Sequence, residues 1–361
     1  MSQRPRIYLD HAATTPILPA AKAAMMEAME RWANPSSPHS EGRAARAALE
    51  DARERIKQAL GWEGELIFTS GATEAIEIAL SDYDLYAKRH LAVEHDAVLR
   101  TVQSFFPPLG VTPNGIVDFD DLHGLMDDRD QTRLLAIQHA NNETGVLQPM
   151  LKIHSVVGEP FGREIAYLCD CAQTAGKLPL PRAEMIPVSS HKLGGPPGVG
   201  ALLVRDLAVL QARGGQERGY RPGTQNLPAI LGFAAALDAA EPWLDRAAVL
   251  RARLEARLQS AGAEVVAKDA PRIPTIGAYR MPGVSSEAQL IHFDLAGIAV
   301  SAGSACSSGT MKVSHVLAAM GWGEQAAREV VRVSFGPQTT QAELDAFAGA
   351  WEKLAARKRA A

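Results

Sequence analysis

Cysteine is scarce in this chain, with three among 361 residues. So few cannot supply a disulfide framework, and stability must come from burial. Aromatic residues are also thin, at 6%. An excess of charge of one sign is missing: 37 Lys and Arg stand against 41 Asp and Glu, a formal net charge of −4. A chain this balanced lacks the clustered Lys and Arg of a nucleic-acid footprint, and no nucleic-acid partner is expected. The one basic run, Arg357-Lys358-Arg359, reads as a solvated helix end, where the helix dipole favours cations. No apolar run approaches the length that crosses a bilayer, so no membrane partner is expected. The opening residues, Met1-Ser2-Gln3-Arg4-Pro5-Arg6, carry no apolar signal core. Low-complexity tracts and repeats are lacking as well. These absences leave a soluble cytoplasmic protein as the expectation.

What is present is apolar residue in quantity, 47% of the chain. That suffices for a large core, and the length suggests two domains. After Ser40, apolar residues recur at Ala45, Leu49, Ala52, Ile56 and Leu60 and stop at Gly61. This is a helix with one buried stripe and a glycine end. Leu66-Ile67-Phe68-Thr69, Leu134-Leu135-Ala136-Ile137, Ile165-Ala166-Tyr167-Leu168-Cys169 and Gly200-Ala201-Leu202-Leu203-Val204 are short apolar runs with helical stretches between the early ones. That alternation predicts a mostly parallel sheet covered by helices on both faces. The last third changes character: an amphipathic stretch over 242–260 precedes strand-like runs at 264–266, 275–279 and 330–334. The final helix opens on Thr340-Gln341-Ala342-Glu343, a capping box. The expected fold class is therefore α/β, a large domain with a mostly parallel mixed sheet plus a smaller C-terminal α/β domain, joined near residue 250.

Ligands of open α/β sheets bind at the carboxyl ends of the strands, and three clusters of small and polar residues fall there. Ser70-Gly71-Ala72-Thr73 joins a strand to a helix; its N–H groups make either a phosphate cradle or a plain helix cap. Asp170 ends an apolar run and needs a partner if buried. A pyridinium nitrogen is one such partner, a structural cation another. Ser189-Ser190-His191-Lys192 precedes Leu193-Gly194-Gly195-Pro196-Pro197-Gly198. A lysine in that turn is either solvated or an amine for covalent chemistry. Arg332 lies in an apolar strand, where it needs a substrate carboxylate or a protein Asp or Glu. Cys306 sits among Ser, Gly and Ala, which suits an exposed, reactive thiol. Cys169 and Cys171 flank Asp170 and are read as small buried apolar residues on the face away from it. No metal site is expected.

These residues fall into blocks that resemble the cysteine desulfurases, within the class V aminotransferase group. The opening Tyr8-Leu9-Asp10-His11-Ala12-Ala13-Thr14-Thr15-Pro16 is similar to theirs. Asn34-Pro35-Ser36-Ser37 with His39, Ser70 to Glu74, Glu94-His95, Asn141 to Gly145, Asp170 with Gln173, Ser189 to Lys192, Glu217-Arg218-Gly219, Arg221-Pro222-Gly223-Thr224 and Gly303-Ser304-Ala305-Cys306 follow in the family's order. The resemblance runs from residue 7 to about 345.

The resemblance implies a fold type I pyridoxal 5'-phosphate enzyme, with residues 15–250 as the cofactor domain. Residues 1–14 with 251–361 would form the small domain carrying the cysteine loop. It implies that Lys192 bears the cofactor, Asp170 pairs with the ring nitrogen, and His95 stacks on the ring and moves protons. Gln173 and Asn142 would serve the phenolic edge. Ala72, Thr73, Ser189 and His191 would hold the phosphate, and Thr224 would reach the phosphate of a second subunit, which implies a homodimer. Arg332 with Asn34 would receive the carboxylate of L-cysteine. Cys306 would take its sulfur as a persulfide, leaving L-alanine, for iron–sulfur cluster or other sulfur-carrier biosynthesis with an unidentified acceptor protein. Selenocysteine lyase chemistry, or an inactive cofactor-bearing interaction protein, are the competing expectations. The chain departs from the family at Ala75-Ile76-Glu77, at Ser190 where Gly is usual, and at Val313 where Pro is usual.

Overall fold

The computed structural model describes residues 6–30, 32–81, 88–102, 106–125, 132–158, 165–303 and 313–360. In chain order the strands are β1 (Ile7–Tyr8), β2 (Glu65–Thr69), β3 (Lys88–His90), β4 (Leu134–Ala136), β5 (Ala166–Leu168), β6 (Met185–Ser189), β7 (Gly200–Val204), β8 (Glu264–Val265), β9 (Ile276–Arg280), β10 (Ile298–Ala299) and β11 (Val330–Ser334). The helices are α1 (Pro19–Glu30), α2 (Ser40–Leu60), α3 (Ala72–Ser81), α4 (Asp96–Thr101), α5 (Phe119–Gly124), α6 (Met150–Val157), α7 (Leu227–Asp238), α8 (Leu244–Ser260), α9 (Ser286–Leu295), α10 (His315–Ala319), α11 (Glu324–Ala327) and α12 (Gln341–Ala360).

The large sheet has six strands in the order β2-β7-β6-β5-β4-β3. β3, β4, β5 and β6 run parallel, while β7 is antiparallel to both its neighbours. The sheet is thus mixed and mostly parallel, as the alternation of runs predicts. β7 reverses because only residues 190–199 separate it from β6, too short a connection for a parallel crossover. β3 and β6 are the strands the sequence reading misses. β3 is only three residues long, and Pro187 in the middle of β6 argues against a central strand.

Side chains alternate across this sheet into two apolar layers. Phe68, Leu135, Ile137, Tyr167, Ile186 and Leu203 pack on one face; Ile67, Leu134, Ala136, Leu168, Leu202 and Val204 pack on the other. α2 presents Ala45, Leu49, Ala52, Ile56 and Leu60, all buried, to the first layer and ends at Gly61, whose φ of 64° lies in the left-handed region glycine favours. α7, apolar nearly all round, packs against α1 and α2.

A second, three-stranded sheet has the order β11-β9-β8 and is antiparallel. α8, α9 and α12 cover it with an apolar cluster of their own, including Leu254, Leu258, Phe293, Phe347 and Trp351. The capping box at Thr340 is formed in both directions: Thr340 N donates to Glu343 Oε2 at 2.8 Å and Glu343 N to Thr340 Oγ1 at 3.3 Å. The N-terminal segment joins this second unit. β1 pairs in parallel with β10, Leu9 lies in the same apolar cluster, and Asp10 bridges to Ser334.

Candidate active site

A cleft of about 400 Å³ lies along one edge of the large sheet. β3, β4, β5 and β6 all deliver their carboxyl ends there, so the segments after them supply the wall. Ala72, Thr73, His95, Asn142, Asp170, Gln173, Ser189, His191 and Lys192 line it.

One end is built from helix and strand termini. α3 begins at Ala72, so the N–H groups of Ala72 and Thr73 have no acceptor within the helix. Gly200 at the start of β7 lets this turn approach: a Cβ there would lie 2.7 Å from Gly71 Cα and 2.5 Å from the Val188 carbonyl oxygen. Ile76, one of the departures from the family pattern, is buried and lines the cleft. Ser190, another, is fully buried behind Lys192, and its hydroxyl fills the space where Gly195 has no side chain. His191 Nδ1 lies 3.2 Å from Thr14 Oγ1. Burial, and then the Lys192 charge, lower its pKa to about 4, so the ring is neutral near pH 7.

Asp170 follows β5 and is buried. Its Oδ1 accepts from Ala172 N at 2.8 Å. Burial raises its pKa, while the Ala172 N–H, His95 and Lys192 pull the other way. Behind it Glu94 is fully buried and accepts from Gln138 N at 2.7 Å. Burial pushes that carboxyl well above the usual range, and the Asp170 charge adds to the effect. His95 caps α4, with Nδ1 accepting from Ala97 N at 3.2 Å. When the ring is neutral its proton therefore sits on Nε2.

Lys192 lies in the turn after β6. Its Nζ donates to the carbonyls of Ala12 at 2.5 Å and Ala13 at 2.8 Å. Burial and the Arg332 charge lower its pKa to about 8, against Asp10 and Asp170. Gln173 also donates to Ala12 O, at 3.0 Å, and its Oε1 is buried without a partner.

Arg332 in β11 abuts the cleft without lining it. It donates to the carbonyl of Asn142 at 3.0 Å and to Asp10 Oδ1 at 2.7 Å, while its buried Nε has no partner. Of the two partners open to it from sequence, the protein carboxylate is present, because a guanidinium this buried needs a counter-charge before any ligand arrives. Asp10 is the site-adjacent residue that sequence reasoning overlooks. The available signal was an acidic residue inside the apolar opening Ile7-Tyr8-Leu9-Asp10.

Asn34 and Thr224 are not in the wall. Asn34 is exposed and its Oδ1 accepts from Ser36 N at 2.8 Å. Thr224 is exposed, on a turn held by Arg221, whose Nε donates to Glu74 Oε1 at 3.1 Å. The same loop is anchored by Glu217, which pairs with Arg53 at 2.8 Å and accepts from Phe68 N at 2.9 Å. Cys306 lies outside the described residues. Cys169 and Cys171 are fully buried in the main apolar cluster, their sulfurs 4.0 Å apart, and neither lines the cleft.

These residues fit pyridoxal phosphate. Helix N–H groups without a helical acceptor and hydroxyls stand at one end; among the described residues, a buried carboxylate in the wall has no cation within bonding distance and an amide oxygen has no partner; and a lysine lines the same cleft.

The class-V aminotransferase family model matches residues 7–347. The cysteine desulfurase IscS of Dictyoglomus turgidum is 34% identical, covering 98% of this chain and 95% of that protein. The IscS-like cysteine desulfurase of Mycobacterium tuberculosis is 36% identical, covering 98% and 97%. Among solved structures, a NifS-like protein superimposes with a TM-score of 0.87 at 30% identity, over 98% of this chain and all of that one.

Proposed function

Because this chain belongs to the class-V aminotransferase family, and within it is a pyridoxal-phosphate-dependent cysteine desulfurase, we propose that its sheet-edge cleft binds the cofactor and takes L-cysteine to L-alanine. The observation that carries this assignment of the site is the convergence on one cleft of His95, Asp170 with Gln173, and Lys192 from three segments of the chain, which follow β3, β5 and β6. The cofactor, when bound, supplies the electron sink for chemistry at the substrate α-carbon.

The chain's own residues do the rest. Ala72, Thr73, Ser189 and the neutral His191 donate to the phosphate. Asp170 holds a proton on the ring nitrogen, and Gln173 with Asn142 serves the opposite edge. Lys192 bears the cofactor. His95 exchanges protons through Nε2, since its Nδ1 is engaged by Ala97. Arg332 receives the substrate carboxylate. Cys306 takes the sulfur as a persulfide, an assignment that rests on the sequence resemblance. Supporting L-cysteine as substrate, a solved structure described as SspA in complex with cysteine superimposes with a TM-score of 0.78 at 28% identity, over 92% of this chain and all of that one.

We also assign residues 15–250 to a cofactor domain and 1–14 with 251–361 to a small one, supported by the second apolar cluster around the small sheet, while α10 and α11 pack into the main cluster through Val316, Leu317 and Ala327. A cytoplasmic homodimer is proposed, with Thr224 serving the partner's cleft and Asn34 the substrate, and a separate acceptor protein taking the sulfur toward iron–sulfur cluster or other sulfur-carrier biosynthesis. The test is direct. The purified protein should be yellow, borohydride should fix the cofactor on a peptide containing Lys192, and L-cysteine should yield alanine. Lys192→Ala should lower turnover by roughly 10²–10⁴-fold, the range for a positioned acid–base group. Cofactor fixed on another lysine would end the assignment.

A further inference from the structure

The N-terminal segment is the hub of the substrate end. Ala12 O accepts from both Lys192 Nζ and Gln173 Nε2, and Ala13 O accepts from Lys192 again. The segment is clamped to β11: Ser334 N donates to Leu9 O at 2.8 Å, and Ala12 N donates to Ser334 Oγ at 2.8 Å. Tyr8 adds a brace, its hydroxyl 3.1 Å from Asp10 O and 2.9 Å from Thr14 O. Asp10 is therefore held by backbone beside Arg332 rather than left to find it. The ion pair it makes is 7% exposed on the arginine side and 20% on the aspartate side.

We propose that Asp10 is a positioning residue that acts through Arg332: it is a resident counter-charge that weakens the grip of the arginine on an amino-acid carboxylate, so that L-alanine can leave. This rests on the reading that Arg332 receives that carboxylate. Substrate and product carry the same carboxylate, so any gain in its binding is shared by both and does not help the chemical step. An unopposed buried guanidinium would hold both tightly. Asp10 already occupies one Nη and the Asn142 carbonyl the other, while the unpartnered Nε shows that the donor capacity is not used up. The incoming carboxylate thus meets a guanidinium already neutralised in charge but not saturated in hydrogen bonds.

The same pair is felt at Lys192. Arg332 lowers its proton affinity and Asp10 raises it, with Asp170 raising it from the other side and burial opposing. His191 and Lys177 also feel the Lys192 charge, and Glu143 and Tyr8 feel Arg332. Among these, Asp10 alone bonds the guanidinium with a carboxylate. Removing its charge while keeping its shape leaves Asp170 alone to offset Arg332 at Lys192.

Asp10→Asn holoenzyme separates this role from a merely structural one. L-alanine affinity, read from the cofactor absorption, should tighten by roughly tenfold, the effect of one nearby charge at intermediate dielectric. The pH midpoint of that absorption without ligand should fall by about one unit. KM for L-cysteine should fall with kcat falling too, as product release slows. If the Asn variant does not fold, Asp10→Ser carries the same expectations. A folded variant whose alanine affinity is unchanged or weaker, or whose midpoint stays put, overturns the proposal. Arg332→Ala is the control: it should weaken alanine binding and erase the effect of Asp10→Asn. If Arg332→Ala leaves alanine affinity intact, the carboxylate reading itself fails. If it weakens binding while Asp10→Asn changes nothing, only the role of Asp10 fails.

Discussion

The two ends of the cleft are built in different ways. The proposed cofactor end takes its residues from strand ends of one sheet, where Thr73, Asp170, Ser189 and Lys192 sit within a few residues of β2, β5 and β6. The proposed substrate end joins a β11 arginine to an aspartate 322 residues earlier and to a loop carbonyl after β4. The first follows from sheet topology: a strand that points at the edge brings its next residues with it. The second depends on long-range packing, with each group fixed by a partner from another region. A lesion at one end should therefore leave a signature distinct from a lesion at the other.

The largest contrast is expected at Asp170. Its buried carboxylate is held by one N–H and burial works against its charge, so Asp170→Asn should stabilise the cofactor-free protein. The same change should lower alanine formation by roughly 10²–10³-fold, the cost of removing one preorganised electrostatic contact. Turnover and urea unfolding measured together check this. A variant as active as wild type would remove Asp170 from the cofactor end.

Next comes Glu217, which ties the Thr224 loop to the large sheet through Arg53, Phe68 N and Gln225. Glu217→Gln leaves the buried Arg53 guanidinium with only the half-exposed Glu50, 2.9 Å away, as counter-charge and should cost about 1–3 kcal/mol. Urea unfolding reads the loss, and the cofactor should dissociate more readily because Arg221 on this loop braces Glu74 at the α3 start. Unfolding at wild-type urea concentration would show that the loop is not a support of the cofactor end.

The smallest effect compares two histidines, one at each end. His191 at the cofactor end and His11 in the N-terminal segment are both lowered to about 4, chiefly by burial. The unfolded chain takes up a proton below about pH 6.5 that the folded chain refuses. Each histidine thus contributes stability that is complete above pH 6.5 and is lost as pH falls toward 4. In the cofactor-free protein, His191→Gln and His11→Gln should each flatten that acid slope in thermal unfolding, and the double variant more. A slope unchanged in both would mean the acid limb arises elsewhere.

The same contrast explains how much could be read from sequence. The stripe of α2, the Thr340 capping box and β2, β4 and β5 were legible to within a residue or two because each follows from a local pattern. The position of Asp170 in the cleft wall follows in the same way from the apolar run before it, whereas Lys192 stood out only through the glycine-rich turn after it and the family resemblance. Asp10 was not legible as the partner of Arg332, because no local pattern links residues so far apart. β6 was hidden by Pro187. Thr224 and Asn34, assigned through resemblance, are exposed on a single chain. Their proposed roles need a second copy or a bound ligand, which no periodicity encodes.

The N-terminal segment has a consequence for how the protein is made. β1 pairs with β10, and Asp10 and Ala12 bond to Arg332 and Ser334. Among the described strands, β1 precedes all the others in the chain and is therefore among the last to find its partners. At about 5–20 residues per second, the 322-residue separation is a wait of roughly 15–65 s. Through that interval Ile7, Tyr8 and Leu9 have no strand to join, while the large sheet can already close. The cleft wall, all of it between Ser70 and Gly198, can thus form before Arg332 reaches Asp10 beside it.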